Sequence, residues 1–356
     1  MLRKQKRLVR AGAVAIGGGQ PVSVQSMLSV SHTRFGELER QALRLKEAGC
    51  ELVRMAVPDR AAVDALSRLK ERTGLSIVAD IHFDYKLAVE AATAGADKIR
   101  INPGNIGDSG RVKAVAAACR AAGIPVRIGV NSGSLERDIL KKHGRPTGAA
   151  LAESALYHAS LLEKWDFYDI VLSVKASDVR TMVEANRALH DACDYPLHLG
   201  VTEAGTERDG LIKSAAGMGS LLLDGIGDTI RISLTADPVV EVDAGRTLLR
   251  SLGLLESGVE LISCPTCGRT QVDLIPLAQR VKDACAGIRR PLRVAVMGCA
   301  VNGPGEAREA DVGIACGAGE GLLFCKGAPV KKVPEDRLFD RLMEEIRKLE
   351  AEYPGK

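Results

Sequence analysis

The stretch ELERQALRLKEAGCELVRMAVPDRAAVDALSRLKERTGLSIVADIH, residues 37–82, decides the fold. It reads as two helix–strand units in succession. In ELERQALRLKEAGC (37–50) and RAAVDALSRLKERTG (60–74) the apolar residues recur at helical spacing, and each run stops at a glycine, Gly49 or Gly74. LVRMAV (52–57) and SIVADIH (76–82) are short β-rich runs. Working outward, the same kind of run recurs at PVSVQS (21–26), KIRINP (98–103), VRIGVN (126–131), DIVLSVK (169–175), LHLGVTE (197–203) and TIRISL (229–234). Repeated βα units imply a parallel sheet. Eight of them in about 250 residues match a TIM (β/α)8 barrel, with a doubly wound open sheet as the alternative. The glycines of IGGGQP (16–21) do not form GxGxxG between a strand and a helix, so no dinucleotide fingerprint is present.

Composition narrows the function. The chain has 356 residues, ordinary hydrophobic (46%) and charged (26%) fractions, and a net charge of +4. That charge is too small for a protein that binds nucleic acid by bulk electrostatics, and 3% aromatics offer few stacking platforms. The basic start MLRKQKRLVRAG (1–12) lacks the apolar core of a signal peptide. No apolar run approaches the roughly 18 residues of a membrane span. A cytoplasmic chain that binds neither nucleic acid nor membrane is expected. Its nine cysteines should then be mostly reduced thiols, and the odd count argues against a full disulfide framework. Cys50, Cys119 and Cys193 lie scattered at helix ends or faces and read as small buried hydrophobes.

In a barrel, function sits at the C-terminal ends of the strands. Those ends offer Gln25, Arg54, Asp80 with His82, Arg100 with Asn102, Arg127 with Asn131, Lys175, Glu203, and Arg231 with Ser233. Side chains two or four apart on a strand share a face. With 49 Lys and Arg in 356 residues, eight random positions would carry roughly one cation, and buried ones fewer. Here five strands of eight supply one. Asp80 and Glu203 are the acids available to neutralise two of them, which leaves at least three uncompensated. Clustered cations repel by up to about 4 kcal/mol per close pair. A site that tolerates this should hold a polyanion, and guanidinium forks suit phosphate oxygens. The mouth therefore predicts a small, highly phosphorylated ligand such as a diphosphate.

After LTADPVVEVDAGRTLLRSLGLLESG (234–258), the eighth helix, the pattern changes. We divide the chain into a barrel, residues 1–256, and a small α+β domain, residues 257–356. The second domain begins with the strand VELISC and a CxxC pair, Cys264 and Cys267, across a Pro-Thr turn. A helix around LIPLAQRVKDAC, the strand LRVAVMG and the Gly-rich NGPGE follow, then β runs at ADVGIACG, GLLFCKG and PVKKV. A terminal amphipathic helix carries Leu338, Leu342, Ile346 and Leu349 on one stripe. The CxxC spacing lets two thiolates meet one ion or cluster. A redox dithiol is the main competitor, and a zinc ribbon would want a second CxxC, which is absent. Cys299 ends a strand, where a second ligand loop would begin. Cys285 and Cys325 read as packing. For a fourth ligand, residue types and spacing leave two rivals, Cys316 and Glu306. The glycines of NGPGE predict a tight turn and a close backbone approach.

VQSM (24–27), VRMAVP (53–58), DIHF (80–83), IRINPGN (99–105), RIGVNSGS (127–134), LSVKAS (172–177), GVTEAG (200–205), IRISL (230–234), CPTCGR (264–269) and MGCAVNGPGE (297–306) together cover nearly the whole chain. This set resembles the bacterial 4-hydroxy-3-methylbut-2-en-1-yl diphosphate synthases, iron–sulfur enzymes of the methylerythritol phosphate isoprenoid pathway, in their compact two-domain form. The resemblance implies a [4Fe-4S] cluster held by Cys264, Cys267, Cys299 and Glu306, which decides the rivalry with Cys316. It implies a substrate, 2-C-methyl-D-erythritol 2,4-cyclodiphosphate, bound by Arg54, Arg100, Arg127, Asn131, Lys175, Arg231 and Ser233, with Asn302 reaching it from the cluster domain. His82 and Asn102 join the same mouth by position. The resemblance further implies Glu203 as acid/base residue, flavodoxin or ferredoxin as electron donor, and a head-to-tail homodimer. Two other classes stay in view. One is a non-redox phosphate-binding barrel like the pterin synthases, with a structural zinc. The other is a binding module, an iron–sulfur scaffold or RNA-binding protein. The CxxxCxxC of radical adenosylmethionine enzymes is absent.

Overall fold

The computed structural model describes residues 4–352, without the side chains of residues 103 and 104. The first three residues of the basic start lie outside it. The chain folds as two compact units, Met1–Leu254 and Leu255–Lys356.

In the first unit, β1 (Val9–Ala11) and β2 (Val14–Ile16) form an antiparallel hairpin. The eight runs expected from sequence become β3 (Ser23–Met27), β4 (Leu52–Ala56), β5 (Ser76–Asp80), β6 (Lys98–Ile101), β7 (Val126–Asn131), β8 (Ile170–Lys175), β9 (His198–Leu199) and β10 (Thr229–Ile230). Their order is β8-β7-β6-β5-β4-β3-β10-β9 and every pairing is parallel. A parallel bridge between Leu172 and Leu197, with the Leu172 N–H donating to Pro196 O at 3.0 Å, joins β8 to β9 and closes the barrel. The open doubly wound sheet is thereby excluded.

The strands are followed in turn by α1 (Phe35–Glu47), α2 (Arg60–Thr73), α3 (Tyr85–Thr93), α4 (Ser109–Ala122), α5 (Gly148–Glu163), α6 (Val179–Ala192), α7 (Glu207–Leu223) and α8 (Pro238–Ser251). Their boundaries follow local chemistry. The Asp59 carboxylate accepts from the Ala62 N–H at 2.9 Å to start α2, and Gly74 ends it in the left-handed conformation, φ 64°. Inside the barrel, Leu52, Val78 and Val171 pack on Val9, Ala11 and Ile16, so the N-terminal hairpin plugs one end and leaves function to the other.

β9 and β10 are shorter than LHLGVTE and TIRISL suggest, two residues each. The two strands pinch together there: a Cβ on Gly200 would stand 2.7 Å from Arg231 O, too close for a regular pleat.

The second unit holds a five-stranded sheet in the order β11 (Val259–Ser263), β12 (Leu292–Met297), β13 (Val312–Cys316), β14 (Glu320–Cys325), β15 (Ala328–Pro334). β11, β12 and β13 pair in parallel, and β14 pairs antiparallel with both β13 and β15. Three helices complete it: α9 (Leu274–Ala284), α10 (Gly303–Arg308) and α11 (Leu338–Ala351). The α11 stripe of Leu338, Leu342, Ile346 and Leu349 packs into one core with Val294, Ile314 and Leu323, while Ala307 lies in a smaller cluster with Met297 and Phe324. Among the described residues no helix is long and apolar enough to cross a membrane.

Candidate active site

At the C-terminal end of the barrel the inward side chains are cationic. Arg54 (β4), Arg100 (β6), Arg127 (β7), Lys175 (β8) and Arg231, just past β10, line one cavity of about 180 Å³ together with Asn131 and Ser233. Seven residues expected from sequence therefore converge. Strand alternation is the reason for Arg54, Arg100, Arg127, Asn131 and Lys175, which share their strands' inner face, and Arg231 and Ser233 keep the same two-residue spacing just past β10.

Two glycines make room for them. A Cβ on Gly129 would stand 2.7 Å from Arg100 Nε, and one on Gly200 would stand 2.7 Å from Lys175 Nζ. Both are places where an apolar side chain would ordinarily fill a barrel, and here the cations fill it instead.

Two carboxylates hold the cluster. Asp80 is fully buried; its Oδ2 lies 2.6 Å from Arg54 Nη2 and its Oδ1 3.1 Å from Arg100 Nη1. Burial alone would push this carboxyl up, but Arg54 and Arg100 outweigh it and hold it below the usual aspartate value. The second acid is not Glu203, as the sequence suggested, but Glu241 on α8. Glu241 is 4% exposed, lies 3.4 Å from Arg231 Nε, and accepts from the Leu234 N–H at 3.0 Å. Glu203 is exposed, follows the cavity-lining Thr202, and occupies the left-handed region at φ 51°.

Five cations against two carboxylates leave three positive charges. Lys175 shows the consequence: burial first, then Arg231, Arg127, Arg54 and Arg100, drive its ammonium far below the ordinary lysine value. Burial first, then Arg54 and Arg100, push Arg127 down, with Asp80 partly opposing them, but a guanidinium does not give up its proton in a protein, so at Arg127 the effect is repulsion. Arg127 Nη1 donates to Gln25 Oε1 at 3.3 Å.

His82 is half exposed, with Nε2 3.5 Å from Asp80 Oδ2. Asn102 is buried just past β6. Among the described residues that line the cavity, His82, Asn102 and Glu203 are not found, whereas Ser173 and Thr202, which sequence reasoning missed, are. Ser173 sits two residues before Lys175 and so shares its face, a signal that was present; Thr202 sits next to Glu203, on the opposite face of the run, and alternation counted from Glu203 points away from it.

In the second unit, parallel β11 and β12 pair Ser263 with Val296, so the residues after them emerge at one edge of the sheet. Cys264 follows β11, and its Sγ accepts from the Gly298 N–H at 3.2 Å. The exposed Cys267 thiol is lowered, first by the Arg269 backbone N–H and also by the Thr270 hydroxyl and the Arg269 charge. Cys299 is lowered by the backbone N–H groups of Val301, Asn302 and Gly303, and its charge and that of Cys267 are close enough to interact. NGPGE, expected as a tight turn, instead opens the short helix α10, because Pro304 in its first turn has its φ preset for a helix. Asn302 is its N-cap residue and Glu306 lies in its first turn, both exposed.

Cys316 has a different environment. It is fully buried on the face of β13 that carries Val312 and Ile314, and burial pushes its thiol up to about 12. Among the described residues no three His, Cys, Asp or Glu side chains converge as tightly as a single metal ion requires. The donor set at the sheet edge is nevertheless thiol-rich, dressed by N–H groups and beside Arg269, which is the environment that favours thiolate.

Comparison with known proteins fits both units. The profile described as GcpE TIM-barrel domain matches residues 6–246, and that described as GcpE protein C-terminal domain matches residues 260–348. A Geobacillus thermodenitrificans protein named 4-hydroxy-3-methylbut-2-en-1-yl diphosphate synthase (flavodoxin) is 54% identical over 354 residues, 99% of this chain and 95% of that protein. A Shouchella clausii protein of the same name is also 54% identical, over 99% of this chain and 96% of its own length. Among solved structures, Yersinia pestis dihydropteroate synthase superposes with a TM-score of 0.51 at 17% identity, covering 69% of this chain and 98% of that one. This likeness concerns the barrel fold alone.

Proposed function

The chain belongs to the GcpE family, and from that premise we infer that it converts 2-C-methyl-D-erythritol 2,4-cyclodiphosphate into 4-hydroxy-3-methylbut-2-en-1-yl diphosphate with electrons from flavodoxin. The observation that carries the reading to these residues is the barrel mouth, where five cations surround one cavity and only two carboxylates answer them. A cyclic diphosphate supplies the missing negative charge. A pterin synthase reading rests on fold likeness alone and leaves the cysteine edge of the second unit without a role.

The reaction is a two-electron reductive ring opening with loss of water. Arg54, Arg100, Arg127, Lys175 and Arg231 bind the diphosphate, and Asn131 and Ser233 add hydrogen bonds. Asp80 fixes the Arg54 and Arg100 forks, and Glu241 fixes Arg231, so the cations are oriented before substrate arrives. Asn302 contributes a contact from the second domain, and His82 and Asn102 border the mouth. Glu203 delivers the proton that accompanies loss of water.

Cys264, Cys267, Cys299 and Glu306 hold a [4Fe-4S] cluster. Each would bind a different iron, so they need not meet at a point as the ligands of one ion must. When bound, such a cluster supplies electrons one at a time, which suits C–O cleavage without a hydride donor. Glu306 is the replaceable member of the set, because carboxylate holds reduced iron less firmly than thiolate does. The enzyme works in the cytoplasm as a head-to-tail homodimer in which each cluster domain serves the partner's barrel. Anaerobic purification tests the assignment. A brown protein with four iron and four sulfide per chain (about four each), turning over the cyclodiphosphate with reduced flavodoxin, is expected; a colourless protein indifferent to air overturns it.

A further inference from the structure

Below the cations that line the mouth, the barrel interior carries a second tier of polar side chains. Lys98 on β6 lies two residues before Arg100 and shares its face, one layer further from the mouth. It is fully buried, and its Nζ has no hydrogen-bond partner. Three strands round the barrel, His198 on β9 is also fully buried with both ring nitrogens unbonded. Thr229, its register partner on β10, and Ser23, the register partner of Thr229 on β3, have unbonded hydroxyls. Buried polar atoms nearly always bond to protein or to ordered water, so this tier is a departure that asks for a purpose.

Its electrostatics are one-sided. Arg127 from β7 and Arg54 from β4 act on Lys98, while Arg127, Lys175 from β8, Lys98 and Arg54 act on His198. Among the described residues no acid is among the chief influences on Lys98 or His198, and Asp80 on the neighbouring β5 is engaged by Arg54 and Arg100. Burial first, then Arg127 and Arg54, drive the Lys98 ammonium far below its ordinary value. The two phosphates of a ligand seated against Arg127 and Arg54 reverse that field.

We propose that Lys98 takes up a proton from bulk water when the diphosphate seats above it, standing as a neutral amine in the anion-free enzyme and as an ammonium in the complex. The unbonded hydroxyl and imidazole groups of Ser23, Thr229 and His198 make this tier polar rather than apolar. The inference rests on the mouth being a diphosphate site. Linkage then fixes the sign: substrate binds more tightly as pH falls, by up to about tenfold per pH unit for one coupled proton, between the two values at which Lys98 titrates.

The test is anaerobic calorimetry of the holoenzyme with 2-C-methyl-D-erythritol 2,4-cyclodiphosphate, repeated in buffers of different ionisation enthalpy. About one proton taken up per substrate is expected for the wild type. In Lys98→Met the uptake should fall by half or more and the pH dependence of affinity flatten, while binding persists. The thermal midpoint should rise, since an apolar side chain of similar length replaces an unpaired buried amine. Equal uptake in Lys98→Met, as when Lys175 takes the proton, overturns the inference. Heat without proton uptake in the wild type also overturns it and leaves the diphosphate reading intact. No binding heat at all overturns that reading and the inference with it. Should Lys98→Met fail to fold, Lys98→Gln takes its place, and the wild-type buffer series is decisive on its own.

Discussion

Asp80 Oδ2 stands 2.6 Å from Arg54 Nη2 in the barrel interior, and the other oxygen of the same carboxylate stands 3.1 Å from Arg100. One acid thus aligns two of the cations that line the mouth. Asp80→Asn leaves two buried guanidinium groups without their counter-ion. We expect a loss of about 3 kcal/mol or more of stability and a substrate affinity that falls by at least tenfold. The pH dependence has a definite sign. The Asp80 carboxyl titrates below its ordinary value of 3.8 in the folded state, so its contribution is present above that value and disappears as pH falls through the folded one. Denaturant titrations at several pH values should show wild type and variant converging in strong acid. A gap that stays constant with pH would count against the ion-pair account.

Glu203 has the left-handed backbone that favours glycine, at φ 51°. A residue held there costs the fold about 1 kcal/mol, which is tolerable where the side chain is needed. Glu203→Gly should therefore raise the thermal midpoint by a few degrees and abolish turnover. Glu203→Gln keeps the shape but cannot donate a carboxyl proton. It should lose turnover by about a hundredfold or more with substrate affinity little changed. Should affinity collapse instead, Glu203 serves binding rather than proton transfer.

Cysteine substitutions separate Glu306 from Cys316. Changing Cys264, Cys267 or Cys299 to Ala should remove most iron and sulfide. Cys316→Ala should keep both and cost about 1 kcal/mol of core packing, since this residue is buried beside Val312 and Ile314. Loss of cluster in Cys316→Ala would reinstate it as a ligand. Glu306→Cys with a full cluster and undiminished turnover would refute the replaceable-ligand role.

The barrel was legible because strand period and helix period alternate from Ser23 to Ser251, with only short helical segments such as Pro103–Ile106 and Arg137–His143 inserted, and Gly49 and Gly74 mark the stops. The mouth cations were legible because a charged residue at an inward strand position breaks the apolar rule. Glu241 was not. It sits on α8, outside the barrel wall, and nothing in VVEVDAG says that this helix turns a carboxylate inward to Arg231. The α10 turn of helix hid behind the glycines of NGPGE. Lys98 was seen only as the start of a strand. That it stands unpaired beneath Arg127 depends on which residues seven other strands bring to its level, and local pattern carries no such information.

The head-to-tail arrangement has its own test, independent of any geometry within one chain. A chain with Glu203→Gln keeps an intact cluster domain and loses proton delivery at its barrel; a chain with Cys299→Ala keeps an intact barrel and loses the cluster. Each homodimer should be inactive. If the cluster domain of one chain serves the barrel of the other, a mixed dimer has one complete site, assembled from the first chain's cluster and the second chain's barrel. Mixed dimers isolated by two affinity tags should then recover about half of the wild-type rate per dimer, as expected for one complete site of two. Confirmed mixed dimers without activity would show that barrel and cluster of one site belong to the same chain.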